Sequence, residues 1–280
     1  MSGHSRLRGE DGAALVRAIL DGDSSRALDV LGSESVLDVP RLSVGRGTAG
    51  IAAALRNARD AYPYAIASLD LHSEIVSADG VLVELRSRLS DGERSFLLPI
   101  AIVDSDIGGR RTVRIYHSER LITGVRKARR PVFPLPPDAA PTPAAEVHVT
   151  VGSYLAAIGS GDPEAVLDRF APGAVMDNGV RPVVDRAELR AIFAAMTSTG
   201  GVRLVRINEF DSGDAVAFEY SGLPRPAAPG SAVRSAPGGG VAIYAYDSEC
   251  RIVAVRMFDD FDPDALIGIE PKSVESNHGT

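Results

Sequence analysis

The 280-residue chain contains one cysteine, no tryptophan and only 5% aromatic residues. With a single thiol, Cys250, it can form neither an intramolecular disulfide nor a metal site built from several thiolates. No apolar run approaches the roughly 20 residues that a membrane-spanning helix needs. The opening segment MSGHSRLRGEDG also lacks the apolar centre of a secretory signal. These absences predict a cytoplasmic protein with no membrane partner.

Positive charge is also scarce, because 30 Lys and Arg face 37 Asp and Glu and give a formal net charge of −7. Surfaces that bind nucleic acid concentrate basic residues, so the composition argues against a nucleic-acid partner. The sequence has no phosphate-binding glycine loop, nucleotide fingerprint or His-Glu metal motif. We therefore expect no cofactor and no metal ion.

The chain does contain an internal repeat. GDSSRALDVLGSESVLD runs from Gly22 to Asp38, and GDPEAVLDRFAPGAVMD runs from Gly161 to Asp177. The first residues of the two segments are 139 positions apart, and so are the last. Within the segments the Gly-Asp start, a Leu-Asp pair and the closing Val-x-Asp all match.

The elements predicted around the two segments follow the same order. In each half, three amphipathic helices precede four stretches that alternate as strands do. This order predicts an α+β fold of two tandem, cone-shaped domains, each with three helices packed on a curved antiparallel sheet. A sheet that curls around its helices leaves an interior in which a small molecule can bind.

Proline-rich and glycine-rich stretches set the expected boundaries. We predict domain 1 at residues 9–125, a proline-rich linker at 126–146, domain 2 at 147–266 and a C-terminal tail at 267–280. A second such stretch, residues 222–240, interrupts a hairpin of domain 2. It is either a disordered loop or a lid over a cavity.

These features resemble the SnoaL-like, or nuclear-transport-factor-2-like, superfamily, and they do so twice. The resemblance rests on the second helix that starts with Gly-Asp, the Val-x-Asp strand after it, and the closing strands VRIYHSERL and VAVRMFDDFDP. The superfamily includes ketosteroid isomerases, polyketide cyclases, epoxide hydrolases and dehydratases, as well as proteins that only bind or dimerise. Its members commonly form homodimers. The resemblance therefore implies an intramolecular pseudo-dimer, with further pairing into a homodimer left open.

The resemblance also implies a function class, although a shared fold does not fix an activity. It favours a cofactor-independent cyclase or isomerase, epoxide opening included, that acts on a hydrophobic small molecule by carboxylate and tyrosine acid-base catalysis. Abundant Ala, Gly, Arg, Val and Asp suggest a GC-rich actinobacterial genome, and with it polyketide or other secondary metabolism. The alternative is a non-catalytic small-molecule-binding protein or a pseudo-dimeric scaffold.

Four residues are the catalytic candidates. The resemblance places a catalytic carboxylate at Asp38 and at Asp177, where an acid inside the cone could move a proton. It places an oxyanion-binding hydroxyl at Tyr154 on the first helix of domain 2. His117 could be a base partnered with Asp38. Three of the four have a structural alternative: Asp177 precedes Asn-Gly and could only shape a turn, Tyr154 could be a core residue, and His117 could be a hydrogen-bonded strand residue.

Four further residues are candidates for substrate binding, namely Tyr116, Tyr244, Tyr246 and Asp260. Tyr244 and Tyr246 share a strand face and could line a cavity or simply pack. Asp259 and Asp260 fall where domain 1 has His117, and one of the two should face inward. The strand periodicity does not say which.

Matching arginines and one alternating polar stretch are further features of the sequence. Arg114 and Arg256 occupy corresponding positions, and matched arginines favour structural ion pairs or an interface over substrate binding. Asp70, His72 and Glu74 alternate on one strand face. A solvated face explains that pattern better than a metal site.

Overall fold

The structure, a computed structural model, describes residues 6–39, 43–124, 135–136, 138–198, 201–223 and 238–259. Within these residues the chain folds into two α+β domains, each built on a six-stranded sheet. The two tandem domains and the α+β class confirm the prediction. None of the helices in the described ranges combines the length and the apolar character required to span a bilayer.

Domain 1 contains four helices and six strands. In chain order these are α1 (Gly9–Asp21), α2 (Ser24–Leu31), β1 (Val36–Val39), β2 (Ser43–Arg46), α3 (Gly47–Ala61), β3 (Ala65–Val76), β4 (Gly80–Ser90), β5 (Ser95–Ile107), β6 (Arg110–Tyr116) and α4 (Arg120–Thr123). The order of strands across the sheet is β2-β1-β6-β5-β4-β3.

Domain 2 repeats this arrangement after a short 3-10 turn at Ala144–Glu146. Its elements are α5 (Val149–Ser160), α6 (Pro163–Leu167), β7 (Phe170–Asp177), β8 (Pro182–Val183), α7 (Arg186–Ser198), β9 (Leu204–Asp211), β10 (Ala215–Gly222), β11 (Gly239–Tyr246) and β12 (Ile252–Met257). The strand order β8-β7-β12-β11-β10-β9 is that of domain 1.

We expected purely antiparallel sheets, but both sheets are mixed. β1 runs parallel to β6, and β7 runs parallel to β12, while the other neighbouring strands are antiparallel. The short strand that ends each repeated segment thus joins the sheet beside the last strand of its domain. Because the pairing joins residues about 75 positions apart, local sequence patterns carry no signal for its direction.

The Gly-Asp pair of each repeat forms a helix-to-helix turn. Gly22 ends α1 and Gly161 ends α5 in the left-handed conformation, with φ of 70° and 82°. The aspartate that follows then caps the next helix. Asp23 accepts a hydrogen bond from the Arg26 amide, and Asp162 accepts one from the Glu164 amide.

The outer faces of the two sheets pack against each other. We call this contact the domain seam, and its apolar residues are Ile75, Leu82, Ala101, Val103 and Tyr116 of domain 1 with Phe210, Ala217, Val241, Ile243 and Phe258 of domain 2. Each domain also encloses a core of its own between its helices and its inner sheet face. The strands at the seam are therefore buried on both faces, which makes them apolar on both faces.

Two ion pairs cross the domain seam at corresponding positions. Arg114 of β6 binds Glu219 of β10, with Nη2 of the arginine 2.8 Å from Oε2 of the glutamate. Arg256 of β12 binds Glu84 of β4, with Nε and Oε1 2.9 Å apart. The matched arginines thus form structural ion pairs, as their pattern suggested.

The exact domain limits stay a prediction. About half of the predicted linker, at residues 126–134 and 137, lies outside the described residues, as do the predicted tail at 267–280 and most of the 222–240 stretch. The described elements run from Gly9 to Thr123 and from Val149 to Met257.

Candidate active site

Domain 2 encloses a cavity of about 50 Å³ between its helices and the inner face of its sheet. Four polar side chains line it, namely Tyr154 of α5, Tyr220 of β10, Tyr244 of β11 and Asp259 directly after β12. Most of the remaining lining residues are aliphatic or methionine. The cavity therefore presents one carboxyl group and three phenolic hydroxyls in a largely apolar enclosure.

Asp259 and Tyr220 form the polar centre of this cavity. The Tyr220 hydroxyl donates a hydrogen bond to Oδ2 of Asp259, and both side chains are buried. Strand alternation turns Val255, Met257 and Asp259 inward, whereas Arg256 and Phe258 face the domain seam. Of the two adjacent acids, the described one, Asp259, faces inward.

Gly240 leaves the space in which this pair meets. It lies opposite Tyr220 in the β10–β11 register. A Cβ atom at this position would come within 2.8 Å of the Tyr220 hydroxyl and of the Asp259 Cβ. Such contacts are shorter than real Cβ atoms show, so any other residue at position 240 would push the pair aside.

The three tyrosines of the cavity remain neutral donors. Burial raises the pKa of Tyr154 and Tyr220 well above the usual value of about 10, and the nearby Asp259 carboxylate raises it further. Burial likewise raises the pKa of Tyr244, with Tyr154 and Asp259 adding to the shift. A neutral phenol in a dry cavity can donate a hydrogen bond to an oxygen that becomes negatively charged.

Domain 1 encloses a second cavity, of about 40 Å³, with a different chemistry. Its walls are aliphatic side chains together with Tyr62, Tyr64 and His117. The His117 Nδ1 atom lies 4.0 Å from Oε2 of Glu119, and the Tyr62 hydroxyl lies 3.3 Å from the same oxygen. His117 and Asp259 are 142 positions apart, like Arg114 and Arg256. Corresponding positions thus carry an imidazole in one domain and a carboxylate in the other.

The two acids that end the repeated segments lie elsewhere than expected. Asp38 is in register with Arg114 on the parallel strand β6, so its side chain is on the face of the domain seam and is only 4% exposed. Its neighbours Leu37 and Val39 pack in the core of domain 1. Asp38 is therefore not beside His117, and it does not line the cavity of its domain.

Asp177 follows the same pattern in domain 2. It is in register with Arg256 on β12 and borders a space of about 20 Å³ at the domain seam. Its Oδ1 accepts a hydrogen bond from the Gly179 amide at 2.8 Å, so it shapes the turn after β7. The placements of Asp38 and Asp177 correct the expectation that both acids line the cones, and their chemical role stays a prediction without support from position.

The other candidates are divided between the cavity and the rest of the molecule. Tyr154 and Tyr244 line the cavity of domain 2. Tyr116 lies in the domain seam, where its hydroxyl donates to Glu219. Tyr246 donates to Asp211 at 2.9 Å outside the cavity, and burial together with that hydrogen bond raises its pKa to about 12. Asp260 lies outside the described residues.

Sequence patterns alone did not reveal the roles of Tyr220 and Gly240. The alternation of Val216, Phe218 and Tyr220 in AVAFEYSG does indicate that Tyr220 shares the inward face. Nothing in the sequence pairs it with an acid 39 positions later. Gly240 stands in the run GGG, which is typical of a loop and not of a strand.

The matches to known proteins given below each cover less than half of this chain. Residues 151–255 match the family model of the SnoaL-like domain. Among solved structures, the epoxide hydrolase/cyclase-like enzyme SalBIII, which has a role in pyran ring formation in the polyether salinomycin, is 20% identical, with 40% of this chain and 88% of that chain covered and a TM-score of 0.34. TerC co-crystallized with polyporic acid is 15% identical, with 41% and 94% covered and a TM-score of 0.34.

An LEH-like epoxide hydrolase from M. tuberculosis is 19% identical, with 41% of this chain and 86% of that chain covered and a TM-score of 0.31. The search of curated proteins found no match. In the second half of the chain, residues 151–255 thus match the model of the SnoaL-like domain, and the first half repeats the strand order of the second half.

Proposed function

We propose that the chain is a cofactor-independent cyclase or isomerase that moves a proton on a hydrophobic, enolisable small molecule in the cavity of domain 2. One observation carries this proposal. Asp259 is hydrogen-bonded to Tyr220 in the cavity of domain 2. The hydroxyls of Tyr154 and Tyr244 are the other polar groups among the described lining residues, which are otherwise apolar. A carboxylate and neutral phenols are the groups that general base catalysis at a carbon acid requires.

In the proposed reaction, a carboxylate oxygen of Asp259 takes the proton from a carbon next to a substrate carbonyl. The electron pair of the broken C–H bond moves to the carbonyl oxygen, and Tyr154 or Tyr244 stabilises the resulting enolate by donating a hydrogen bond. Tyr220 holds the carboxylate in position. Return of the proton from Asp259 to the far carbon of a conjugated enolate gives an isomer. Attack of the enolate carbon on a second carbonyl carbon of the same molecule closes a ring, and the alkoxide formed from that carbonyl group takes the proton from Asp259.

Epoxide opening is a second reaction that the same groups support. A tyrosine hydroxyl would protonate the epoxide oxygen as the C–O bond breaks. The Asp259 carboxylate would take the proton of the attacking hydroxyl group. This reaction needs an acid and a base on opposite sides of the substrate, and proton abstraction from a carbon acid needs only one proton-transfer group.

A binding protein without catalysis is the alternative, and the sizes of the cavities favour it. A water occupies about 10–15 Å³ of such a volume, so the cavities of about 50 and 40 Å³ would each hold only a few waters. A substrate of several rings enters domain 2 only if the wall moves. A substrate from secondary metabolism and a homodimer of the chain both remain predictions.

Proton exchange on a small ketone separates the two functions. We would incubate the full chain with 2-tetralone in D₂O and follow by ¹H NMR the loss of the signals of the protons next to the carbonyl. The wild-type chain should exchange them faster than buffer does, and Asp259→Asn should lose at least about 100-fold of that rate.

Asp211→Asn is the matched control, because Asp211 also accepts a tyrosine hydroxyl but lies outside the cavity. It should leave the rate unchanged. Exchange that is equal in wild type and Asp259→Asn would refute the catalytic proposal. Binding of 2-tetralone with no exchange above buffer would support the non-catalytic alternative.

A further inference from the structure

The methionines of the chain are concentrated in one place. The sequence has four, and all three that follow Met1, namely Met176 of β7, Met196 of α7 and Met257 of β12, line the cavity of domain 2. The residues that the structure describes around the cavity of domain 1 include none. A random spread of three residues over both domains would rarely give this pattern, so it calls for a physical explanation.

The two domains differ in side-chain stiffness at corresponding positions. Met257 corresponds to Ile115, which is 142 positions earlier, and Met176 corresponds to Leu37, which is 139 positions earlier. These replacements keep the side chains apolar and similar in volume. They exchange branched side chains with few rotamers for an unbranched thioether with three rotatable bonds. Ile115 lines the cavity of domain 1, whereas Leu37 packs in the core of that domain. The cavity wall of domain 2 therefore changes shape more easily at these two positions.

The polar end of the cavity defines which ligands suit it. The Asp259 carboxylate accepts a hydrogen bond and already receives one from Tyr220. A ligand hydroxyl of an enol or a phenol could donate a second one, and the Tyr154 and Tyr244 hydroxyls could reach its oxygen. Thioether groups also make favourable contacts with the edges of aromatic rings. A flat ring system with one hydroxyl therefore suits this cavity, because its hydroxyl can bind Asp259 and its ring edges can contact the methionines.

We propose that the three methionines let the cavity of domain 2 enlarge to admit fused-ring enols or phenols that exceed its resting volume. The proposal rests on the proposed function, because it assigns the substrate class of the same site. In it, Met176, Met196 and Met257 change rotamer when the ring system enters. The cavity of domain 1 keeps its resting size because branched aliphatic side chains and the rings of Tyr62, Tyr64 and His117 form its walls.

Two probes of different size test the proposal on the full chain. 2-Naphthol has two fused rings and resembles the enol of 2-tetralone, whereas phenol has one ring and the same hydroxyl. The test variant is Met176→Leu/Met257→Ile, which gives domain 2 the residues of domain 1 and conserves volume, so the fold should persist. Ile115→Met, the reverse change in domain 1, is the matched control.

Binding would be measured by the fluorescence of each probe and by the NMR signals of methyl-¹³C-methionine. We expect the double variant to bind 2-naphthol at least ~10-fold more weakly and phenol within about twofold of wild type. Ile115→Met should leave both affinities unchanged. In wild type, 2-naphthol should shift the methyl signals of the three internal methionines.

Three results would overturn the proposal: no binding of 2-naphthol to the wild-type chain, an equal change for both probes, or binding that leaves the methionine signals in place. These results are separable from failure of the proposed function. If Asp259→Asn stops the exchange of 2-tetralone while the double variant still binds 2-naphthol normally, then the catalytic role of Asp259 is supported and the proposal about the three methionines is refuted.

Discussion

At the scale of single residues, Gly240 determines whether Asp259 and Tyr220 can meet. A methyl group at position 240 would lie 2.8 Å from the Tyr220 hydroxyl. We expect Gly240→Ala to separate the pair and to lower the free energy of unfolding by about 1–3 kcal/mol, since a buried carboxyl group then loses a hydrogen bond. Urea unfolding followed by far-UV circular dichroism measures this loss.

Gly159→Ala is the control for this substitution. Gly159 lies in α5, where a methyl group would have no neighbouring atom within 4 Å, and alanine favours helix more than glycine does. The substitution should therefore leave stability unchanged or raise it. If Gly240→Ala proved as stable as Gly159→Ala, then Tyr220 and Asp259 would have room that the structure does not show.

The raised pKa values of the tyrosines predict how stability depends on pH. Burial raises the pKa of Tyr154, Tyr220 and Tyr244 in the folded chain, whereas the unfolded value is about 10. The neutral phenols therefore contribute stability that is complete below pH 10. That stability falls as the pH rises above 10, because only the unfolded chain then releases the protons easily.

Absorbance near 295 nm follows the ionisation of the seven tyrosines of the chain. We expect the three cavity tyrosines to ionise only together with unfolding, in one step that coincides with the loss of the circular dichroism signal. In Tyr154→Phe this step should be smaller by one phenol. Smooth titration of all the tyrosines near pH 10 in a folded chain would contradict their burial.

The sequence located part of this site and misplaced the rest for one physical reason. Tyr154 lies in the cavity of domain 2, where the resemblance placed it. Asp38 stands in a strand, Val-Leu-Asp-Val, that is buried on both faces. Because one face meets the core and the other meets the domain seam, alternation could not say which face the acid takes.

At the scale of elements, the Gly-Asp pair at the start of both repeated segments has the same structural role in each domain: it ends one helix and caps the next. A hydrogen bond from Ser25, and then the amide of Arg26, lower the pKa of Asp23 at the start of α2. The Asp23 carboxylate, which caps α2, therefore stabilises the fold above the unfolded pKa of about 4. This stabilisation is lost as the pH falls below that value. Helix caps are local, which is why the sequence predicts them well.

We expect Asp23→Ala to lower the urea midpoint of unfolding at pH 7. Asp29→Ala is the matched control, because Asp29 is also an acid of the repeat but lies exposed within α2. Asp29→Ala should leave the midpoint nearly unchanged, and the difference between the two variants should shrink as the pH falls below about 4. An equal effect of both variants at pH 7 would show that charge, and not capping, is responsible.

The pairing of strands could be predicted less well than the helices. The four long strands of each domain follow from alternation, and the short turns between most of them indicate their antiparallel order. The parallel contact of β1 with β6 joins segments that are far apart in the chain. Only the packing of helices and sheet in three dimensions determines it, so a single sequence contains no local sign of it.

At the scale of the whole molecule, the domain seam joins two domains that are similar but not identical. Both seam ion pairs have a neighbouring donor, since Asn208 donates to Glu219 and Ser73 donates to Glu84. In the Arg114–Glu219 pair, Glu219 also accepts a hydrogen bond from the Tyr116 hydroxyl. The Arg256–Glu84 pair has no matching donor, because the residue of domain 2 that corresponds to Tyr116 is Phe258. The fused chain can hold this asymmetry, whereas a symmetric dimer of one domain could not.

Burial makes the two seam ion pairs unequal in their effect on stability. Arg114 and Glu219 have side chains that are 1% and 0% exposed, while Arg256 is 20% exposed. Arg114→Met leaves Glu219 as a buried charge beside Tyr116 and Asn208, and it should cost about 3–5 kcal/mol of the free energy of unfolding. Arg256→Met should cost less, because Arg256 is already partly exposed to water, and because the Ser73 hydroxyl and His72 remain beside the buried Glu84.

The double variant Arg114→Met/Glu219→Leu separates the loss of a charge from the loss of packing. With both partners apolar, no charge remains buried, so we expect the double variant to recover most of the stability that Arg114→Met loses. Urea unfolding of the full chain at pH 7 would compare the double variant with Arg114→Met and with the wild type. Recovery would mean that the ion pair restricts which surfaces can pair across the domain seam more than it adds stability. A double variant as unstable as Arg114→Met would instead mean that the hydrogen-bonded network around Glu219 itself holds the two domains together.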